Sequence, residues 1–384
     1  MQIYADLHIH LGSALGQAVK ITASRQLTLD SVVYGAQQKG LAMVGIVDAG
    51  CLGVMAEISD KLEQGEWYQL AGGGFRAEGI TIIPGCELET CEGIHVLSFF
   101  PGWQQLREFC RWWQPQVTNP RLSTQRGKMG IKATMEVAHK QQGVFGFAHA
   151  FTPHKGVYGC LTPRLANLLG DQLTKIDFIE LGLSADAGMA RSITECQQFA
   201  FLSNSDAHSL PNLAREYNRL EMTEPSFQGL VEALAAGGQG IIANYGLHPL
   251  LGKYYRTFCP PCSYIVDEAP PVSVCPRCGN RNIVMGVKDR ITMIADQENI
   301  KPDNYYYRVP LLMVPGIGKR TAARLVTAGG SELAVMEEIP ESELEKVAGK
   351  RATDAIAGIR QQRFKIIAGG GGRYGHLTPD NNLD

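Results

Sequence analysis

No apolar run approaches the roughly 20 residues that a membrane-spanning helix needs, and the opening MQIYADLHIH lacks the basic-then-apolar pattern of a secretory leader. The chain is therefore expected in the cytoplasm, with no membrane partner. Charged residues are few, 19% against 45% hydrophobic, which excludes a disordered chain. The 43 glycines follow no three-residue period, so a collagen-like chain is excluded too. No internal repeat stands out. What is present is length: 384 residues are too many for one ordinary core and suggest two or three domains. The net charge of −2 hides an asymmetry, −5 over residues 1–251 and +3 over 252–384, which suits a catalytic part followed by one that meets an anion. In a cytosolic chain the ten cysteines point to metal or buried thiols rather than disulfides. Four cluster at Cys259, Cys262, Cys275 and Cys278; the other six read as mostly small core residues.

The first 250 residues alternate short apolar runs with amphipathic helical stretches, the pattern of a parallel sheet, open or closed into a barrel. Strand-like runs are 1–6, 43–48, 80–84, 95–100, 144–149, 176–182 and 201–205; helical patterns lie at 29–39, 131–142 and 187–198. Active sites of such folds sit where strands end. Here those ends carry His8 and His10, Asp48, Glu87, His149, and Asp206 with His208, while His95 opens the fourth run. Five of the nine histidines fall in this set, as a metal site assembled from several strands requires.

His8 and His10 alternate in an extended segment, so their side chains share a face and can grip one ion. Asp6 lies on that face too and is positioned to orient an imidazole through its second nitrogen. Asp206 and His208 offer one oxygen and one nitrogen ligand, and a carboxylate such as Glu87 directly after a strand can bridge two ions. His139 and His154 match no ligand motif and are expected on a helix surface and in a loop.

Taken in order, Asp6-Leu7-His8-Ile9-His10, Gly85-Cys86-Glu87, His95-Val96-Leu97, Ala148-His149 and Ser205-Asp206-Ala207-His208 resemble the motifs of the PHP (polymerase and histidinol phosphatase) family over about residues 1–250. The resemblance implies a distorted seven-stranded β/α barrel holding two or three divalent cations for phosphoester hydrolysis. It places one ion on His8, His10, Glu87 and Asp206 and a second on Glu87, His95 and His149. A third position takes His208 and, in the family, the histidine of an Asp-His pair; here that pair reads Asp48-Ala49. Asp206, His208, Glu87 and Asp48 are the candidate catalytic residues. Ligands of this kind accept zinc, manganese, magnesium or iron.

Beyond residue 250 the composition changes. The two Cys-x-x-Cys pairs, 259/262 and 275/278, fit a structural zinc with a closed four-thiolate shell in a zinc ribbon-like module at 251–290. Residues 291–368 read as a small helical domain, with helical patterns at 311–328, 331–338 and 341–362; a tail, 369–384, is expected to be disordered. Val314-Pro315-Gly316-Ile317-Gly318-Lys319-Arg320 makes a tight turn into a helix and resembles the hairpin of helix–hairpin–helix modules, which grip DNA backbone without reading bases. Gly316, Gly318, Lys319, Arg320 and Arg324, with Lys253 and Arg256, are the candidate DNA contacts.

Barrel, zinc module and hairpin in this order, with the run Gly252-Lys253-Tyr254-Tyr255-Arg256-Thr257-Phe258-Cys259, make the whole chain similar to the endonuclease Q family. That resemblance implies a DNA repair endonuclease cutting 5′ of uracil, hypoxanthine, xanthine or an abasic site, its partner being DNA with a damaged base. Such a base leaves the stack to be examined; Gly72–Gly74 and Phe151–Tyr158 are the candidate walls of its pocket. No motif identifies a repair or replication clamp partner. Two other readings stay open: a small-molecule phosphatase, for which the barrel alone would suffice, and a non-catalytic DNA-binding protein with a decayed barrel.

Overall fold

In the computed structural model, which describes residues 1–298, 300 and 304–378, the apolar runs become strands where Val, Ile, Leu and Phe cluster between turns. Seven form the barrel: β1 (Gln2–Ile9), β2 (Met43–Ile46), β3 (Ile80–Glu89), β4 (His95–Phe99), β5 (Val144–Phe147), β6 (Phe178–Glu180) and β7 (Ala200–Leu202). Each pairs with the next in sequence, and Ala207, just past β7, bridges Ile9 in parallel to close the ring. His10 N–H donates to Ala207 O at 3.1 Å, and Ala207 N–H to His8 O at 3.2 Å. The sheet is not all parallel. β4 runs antiparallel to both β3 and β5 because the Glu89–His95 turn is too short for a crossover. This reversal explains why His95 opens its strand: the start of β4 lies at the same mouth as the ends of its neighbours.

Helices α1 (Leu29–Lys39), α2 (Leu52–Glu63), α3 (Trp103–Trp113) and α4 (Ile131–Lys140) cover the outside. α1 starts where expected because Thr28 and Ser31 form a reciprocal capping box, and it stops at Gly40 in the left-handed conformation. The pattern at 187–198 yields two short turns, Ala187–Arg191 and Thr194–Gln198, not one helix.

Past the barrel, β8 (Tyr217–Glu221) and β9 (Ile241–Gly246) extend the sheet from β1. β10 (Tyr305–Tyr307) then adds to β9, and Val287, Ile291 and Ile294 of α5 (Val287–Ile294) bury into the barrel's own core. The stretch expected to open the helical domain thus packs with the barrel, since its tyrosines and aliphatic residues find their apolar partners there. The helices that follow are α6 (Lys319–Gly329), α7 (Glu332–Glu337), α8 (Glu341–Ala348) and α9 (Lys350–Arg360), around a core of Leu311, Val314, Leu325, Met336 and Ile356. The patterns at 311–328 and 341–362 are each interrupted: the turn at Gly316 delays α6 to Lys319, and Gly349, at φ 78°, separates α8 from α9.

The expected disordered tail is corrected in part. His376–Thr378 pairs antiparallel with Lys365–Ile367, and Gly369, Gly372 and Gly375 donate backbone hydrogen bonds to Leu250, Lys253 and Leu251. Backbone pairing here overrides a composition that favours loops. Residues 379–384 of that tail lie outside the described residues.

A buried carboxyl lies beside the barrel. Glu216 accepts from Leu247 N–H at 2.8 Å, yet its other carboxylate oxygen has no hydrogen-bond partner among the described residues. Burial pushes its carboxyl up to about 8. A raised carboxyl stabilises the fold fully below its unfolded value near 4.5, and that contribution is lost as pH rises through about 8. The wild-type thermal midpoint should therefore fall between pH 5 and 8.5, and Glu216→Gln should flatten the fall; a calorimetric pH series on both proteins checks this.

Candidate metal centre

The barrel mouth gathers the predicted metal ligands from five segments. Three groups of ligand atoms each lie within 4.8 Å of one another: His8, His10 and Glu87; His10, Asp206 and His208; Glu87, His95 and His149. Glu87 and His10 are each shared by two of the groups. The strand alternation expected of His8 and His10 holds, with their Nε2 atoms 3.3 Å apart. Asp206 Oδ1 lies 3.5 Å from the Nε2 of both. His95 Nδ1 is 3.0 Å from Glu87 Oε1 and 3.3 Å from His149 Nε2. His149 and Asp206 both adopt positive φ, 31° and 46°, a strain that non-glycine residues bear chiefly at functional sites.

Four imidazoles each have an oxygen behind them. His8 Nδ1 donates to Glu180 Oε2 at 2.8 Å, and His10 Nδ1 to Asp48 Oδ1 at 3.0 Å. Glu89 Oε2 stands 3.7 Å from His95 Nε2, and Thr152 Oγ1 3.1 Å from His149 Nδ1. Such partners fix which ring nitrogen faces a metal and raise its basicity. The donor set fits divalent cations: buried imidazole nitrogens and carboxylates at one mouth, each ring held from behind.

Two assignments made from the sequence are corrected here. Asp6 orients no imidazole: its carboxylate accepts from the backbone N–H of Ser205 at 3.1 Å and of Ala214 at 3.0 Å, tying β1 to the last metal-bearing loop. The orienting acid is Glu180, whose Oε1 also accepts from His149 N–H at 3.3 Å. Asp48 accepts on both oxygens, from His10 and the Ser123 hydroxyl on one and from Leu11 N–H (2.7 Å) on the other, so it positions His10. Beside it Ala49 is fully buried, and the family's extra histidine has no counterpart there.

Electrostatics follow the same logic. Burial alone would lower the His8 imidazole, but Glu180, Asp206 and Glu87 together raise it to about 9. Glu87 is opposed by burial, yet Lys20, His95 and His10 hold it well below the usual carboxylate range. Lys20, which the sequence did not single out, donates to Glu87 Oε2 at 3.2 Å and to Thr124 Oγ1 at 2.6 Å.

Of the proposed pocket walls, Gly72–Gly74 lies at the wrong end. These glycines approach Pro101, Phe227 and the Thr81–Ile83 start of β3, while Glu87 sits near its finish. Phe151–Tyr158 does border the cluster through Thr152 and Lys155, but Phe151 and Tyr158 stack on each other in the core. His139 is half-buried on α4 against Asp177, and His154 is exposed in a loop, as expected.

The four-cysteine group closes on itself. Cys259 and Cys278 Sγ atoms are 3.6 Å apart, as are those of Cys262 and Cys275. Thiolates around a tetrahedral zinc at about 2.3 Å stand about 3.8 Å apart, so the set fits.

Among the DNA candidates, Gly316 takes φ 84°, and Gly318, Lys319 and Arg320 are exposed at the start of α6. Arg324 is exposed but donates to Val347 O, joining α6 to α8. Arg256 is corrected: its guanidinium pairs with Asp289 at 3.0 Å and with Glu268 O, which holds the zinc module against α5. Among the described residues Lys253 pairs with no carboxylate, its ammonium over the rings of Tyr254 and Tyr374. A repeat does exist: Gly349-Lys350-Arg351 leads into α9 as Gly318-Lys319-Arg320 leads into α6, both helices having 11 residues. The two turns adjoin, since a Cβ on Gly316 would sit 4.0 Å from Arg351 Nε.

Glu180→Gln keeps the shape behind His8 but removes the charge. Metal affinity should fall about 10–100-fold, as read by competition with a coloured chelator on protein that circular dichroism shows to be folded.

No family model matches the chain. It is 39% identical to YqxK, an uncharacterised protein of Bacillus subtilis, over 98% of this chain and 100% of that one. The solved structure of the lesion-specific endonuclease PfuEndoQ from Pyrococcus furiosus superposes with a TM-score of 0.86 at 32% identity, covering 100% of this chain and 97% of the other. Endonuclease Q in complex with a 27-mer duplex substrate bearing an abasic lesion at the active site gives 0.84 at 31% identity, with 100% of both chains covered. At that identity over the full length of both chains, the protein belongs to the endonuclease Q family.

Proposed function

We propose that the protein is a metal-dependent endodeoxyribonuclease that hydrolyses the phosphodiester 5′ of a deaminated base (uracil, hypoxanthine or xanthine) or of an abasic site. The observation that carries the reading is the convergence of three ligand groups on Glu87 and His10 at one barrel mouth, in a chain of this family. One divalent cation would sit on His8, His10, Glu87 and Asp206, and a second on Glu87, His95 and His149. His208, beside Asp206 and His10, offers a third position. Zinc, manganese and magnesium all suit such donors, and one structural zinc suits the four cysteines.

When bound, paired divalent cations neutralise a phosphodiester and lower the pKa of water. The rest is the work of the chain. Glu180, Asp48 and Glu89 keep His8, His10 and His95 aimed at the cluster. His208 donates its Nδ1 proton to the Asp206 carbonyl at 2.9 Å, and burial holds its imidazole below the ordinary value, so with no third cation on it Nε2 is a free base at neutral pH that can take a proton from the attacking water. The paired Gly-Lys-Arg turns at α6 and α9 would hold backbone phosphates on their free N–H groups.

Duplexes carrying uracil, hypoxanthine or an abasic site, with the product ends mapped, test the reading directly. Asp206→Asn should abolish nicking while DNA affinity holds; cleavage that survives the substitution contradicts the assignment. The double change Lys319→Ala and Lys350→Ala should lower the slope of log affinity against log salt by about two, one per phosphate lost, without altering the order of preferred lesions.

A further inference from the structure

A chain of contacts runs round the metal cluster from one ligand group to the other. It begins at His149, whose Nδ1 meets Thr152 Oγ1 at 3.1 Å; the same hydroxyl bonds His154 O at 2.8 Å. The His154 ring stands edge-on to Tyr254 at 5.2 Å. Lys253 Nζ lies 5.2 Å from the centre of the Tyr254 ring and 5.5 Å from that of Tyr374. Tyr374 Oη is 3.4 Å from Arg215 Nη1, and Arg215 ends the chain on Ser205 O at 2.7 Å and Asp206 O at 3.4 Å. A turn near the C-terminus makes this possible. Gly371 and Gly372, both at positive φ, reverse the backbone so that Gly370 bridges Arg373, and Gly372 and Gly375 bond back to Lys253 and Leu251. The turn presents Arg373 and Tyr374 to solvent, Tyr374 being 44% exposed.

Two features of this rim are not explained by stability. None of Arg215, Lys253 and Arg373 has a carboxylate oxygen within 4.0 Å among the described residues. A large aromatic ring is held out of the core by a dedicated turn. Cations without counter-ions interleaved with tyrosines are the surface that single-stranded nucleic acid selects: the rings stack on bases and the cations meet phosphates. We infer that Tyr254, Lys253, Tyr374, Arg373 and Arg215 form a docking rim for an unstacked nucleotide of the strand being cut. The inference rests on the reading that damaged DNA is the substrate, and it adds where the strand lies once its stacking is broken.

The test uses the full chain and a fluorescent duplex with one uracil. Dissociation constants are measured by anisotropy on the Asp206→Asn protein, so that cleavage does not intervene, and wild-type nicking is followed in parallel. Tyr374→Ala should weaken binding about tenfold or more, Tyr374→Phe should stay within roughly twofold, and Arg373→Ala should lower the salt slope by about one. The inference is overturned if Tyr374→Ala binds like its parent, or if Tyr374→Ala and Tyr374→Phe weaken binding alike, since only the hydroxyl contact to Arg215 would then matter. An unchanged salt slope for Arg373→Ala removes that residue from the rim. A wild-type protein that nicks no lesion duplex sinks the proposed function instead, and the affinity comparison still decides the rim.

Discussion

A carboxylate buried in its charged form needs positive charge around it, and Glu87 is that carboxylate. It is 3% exposed at the mouth of the barrel, with Lys20, His8, His10, His95 and His149 turned toward it. An ion of either sign isolated at such a site would be neutralised or expelled. The cluster persists because each of these four imidazoles has an acid or hydroxyl behind it; Glu180 and Asp48 are themselves held by backbone donors and Glu89 by the Lys155 ammonium. The arrangement is therefore a shell within a shell. The inner side chains face each other, and the outer ones, Glu180, Asp48 and Glu89, set the direction of the His8, His10 and His95 rings as Thr152 sets that of His149.

Much of the inner shell was legible because strand ends concentrate chemistry, and seven polar residues at those ends are hard to place otherwise. The outer shell was less so. Glu180 ends β6 inside the apolar run at 176–182 and could have been found by asking why a carboxylate ends a fully buried strand. Lys20 and Thr124 lie in loops with no periodicity, and nothing local announces them. Asp6 misled because alternation fixes a shared face only where the strand is regular, and β1 changes register between Asp6 and Ile9. Gly72–Gly74 misled for a different reason: composition says nothing about which mouth of a barrel a loop serves. The short turn before β4, by contrast, was a readable sign of reversal.

The parts beyond the barrel are joined to it more closely than composition suggested. Asp289 pairs with Arg256 and accepts from Thr257 N–H at 2.7 Å, so the zinc module is anchored through a charge first read as a DNA contact. The helical core includes Leu247 and Leu251 from the end of the barrel segment, and β10 completes the barrel's sheet. A phosphatase reading leaves all this without purpose. A decayed barrel would not keep four imidazoles individually oriented.

Closure of the ring at Ile9 and Ala207 carries a further consequence. Asp6 and Ser205, which bond across that seam, are 199 positions apart. Contacts between such distant segments form late, because the loop between them must first be ordered. During synthesis the early histidines leave the ribosome long before Asp206 and His208, and the half-built mouth lacks the partners that give it reactivity. The ligand set is thus incomplete until translation is well advanced.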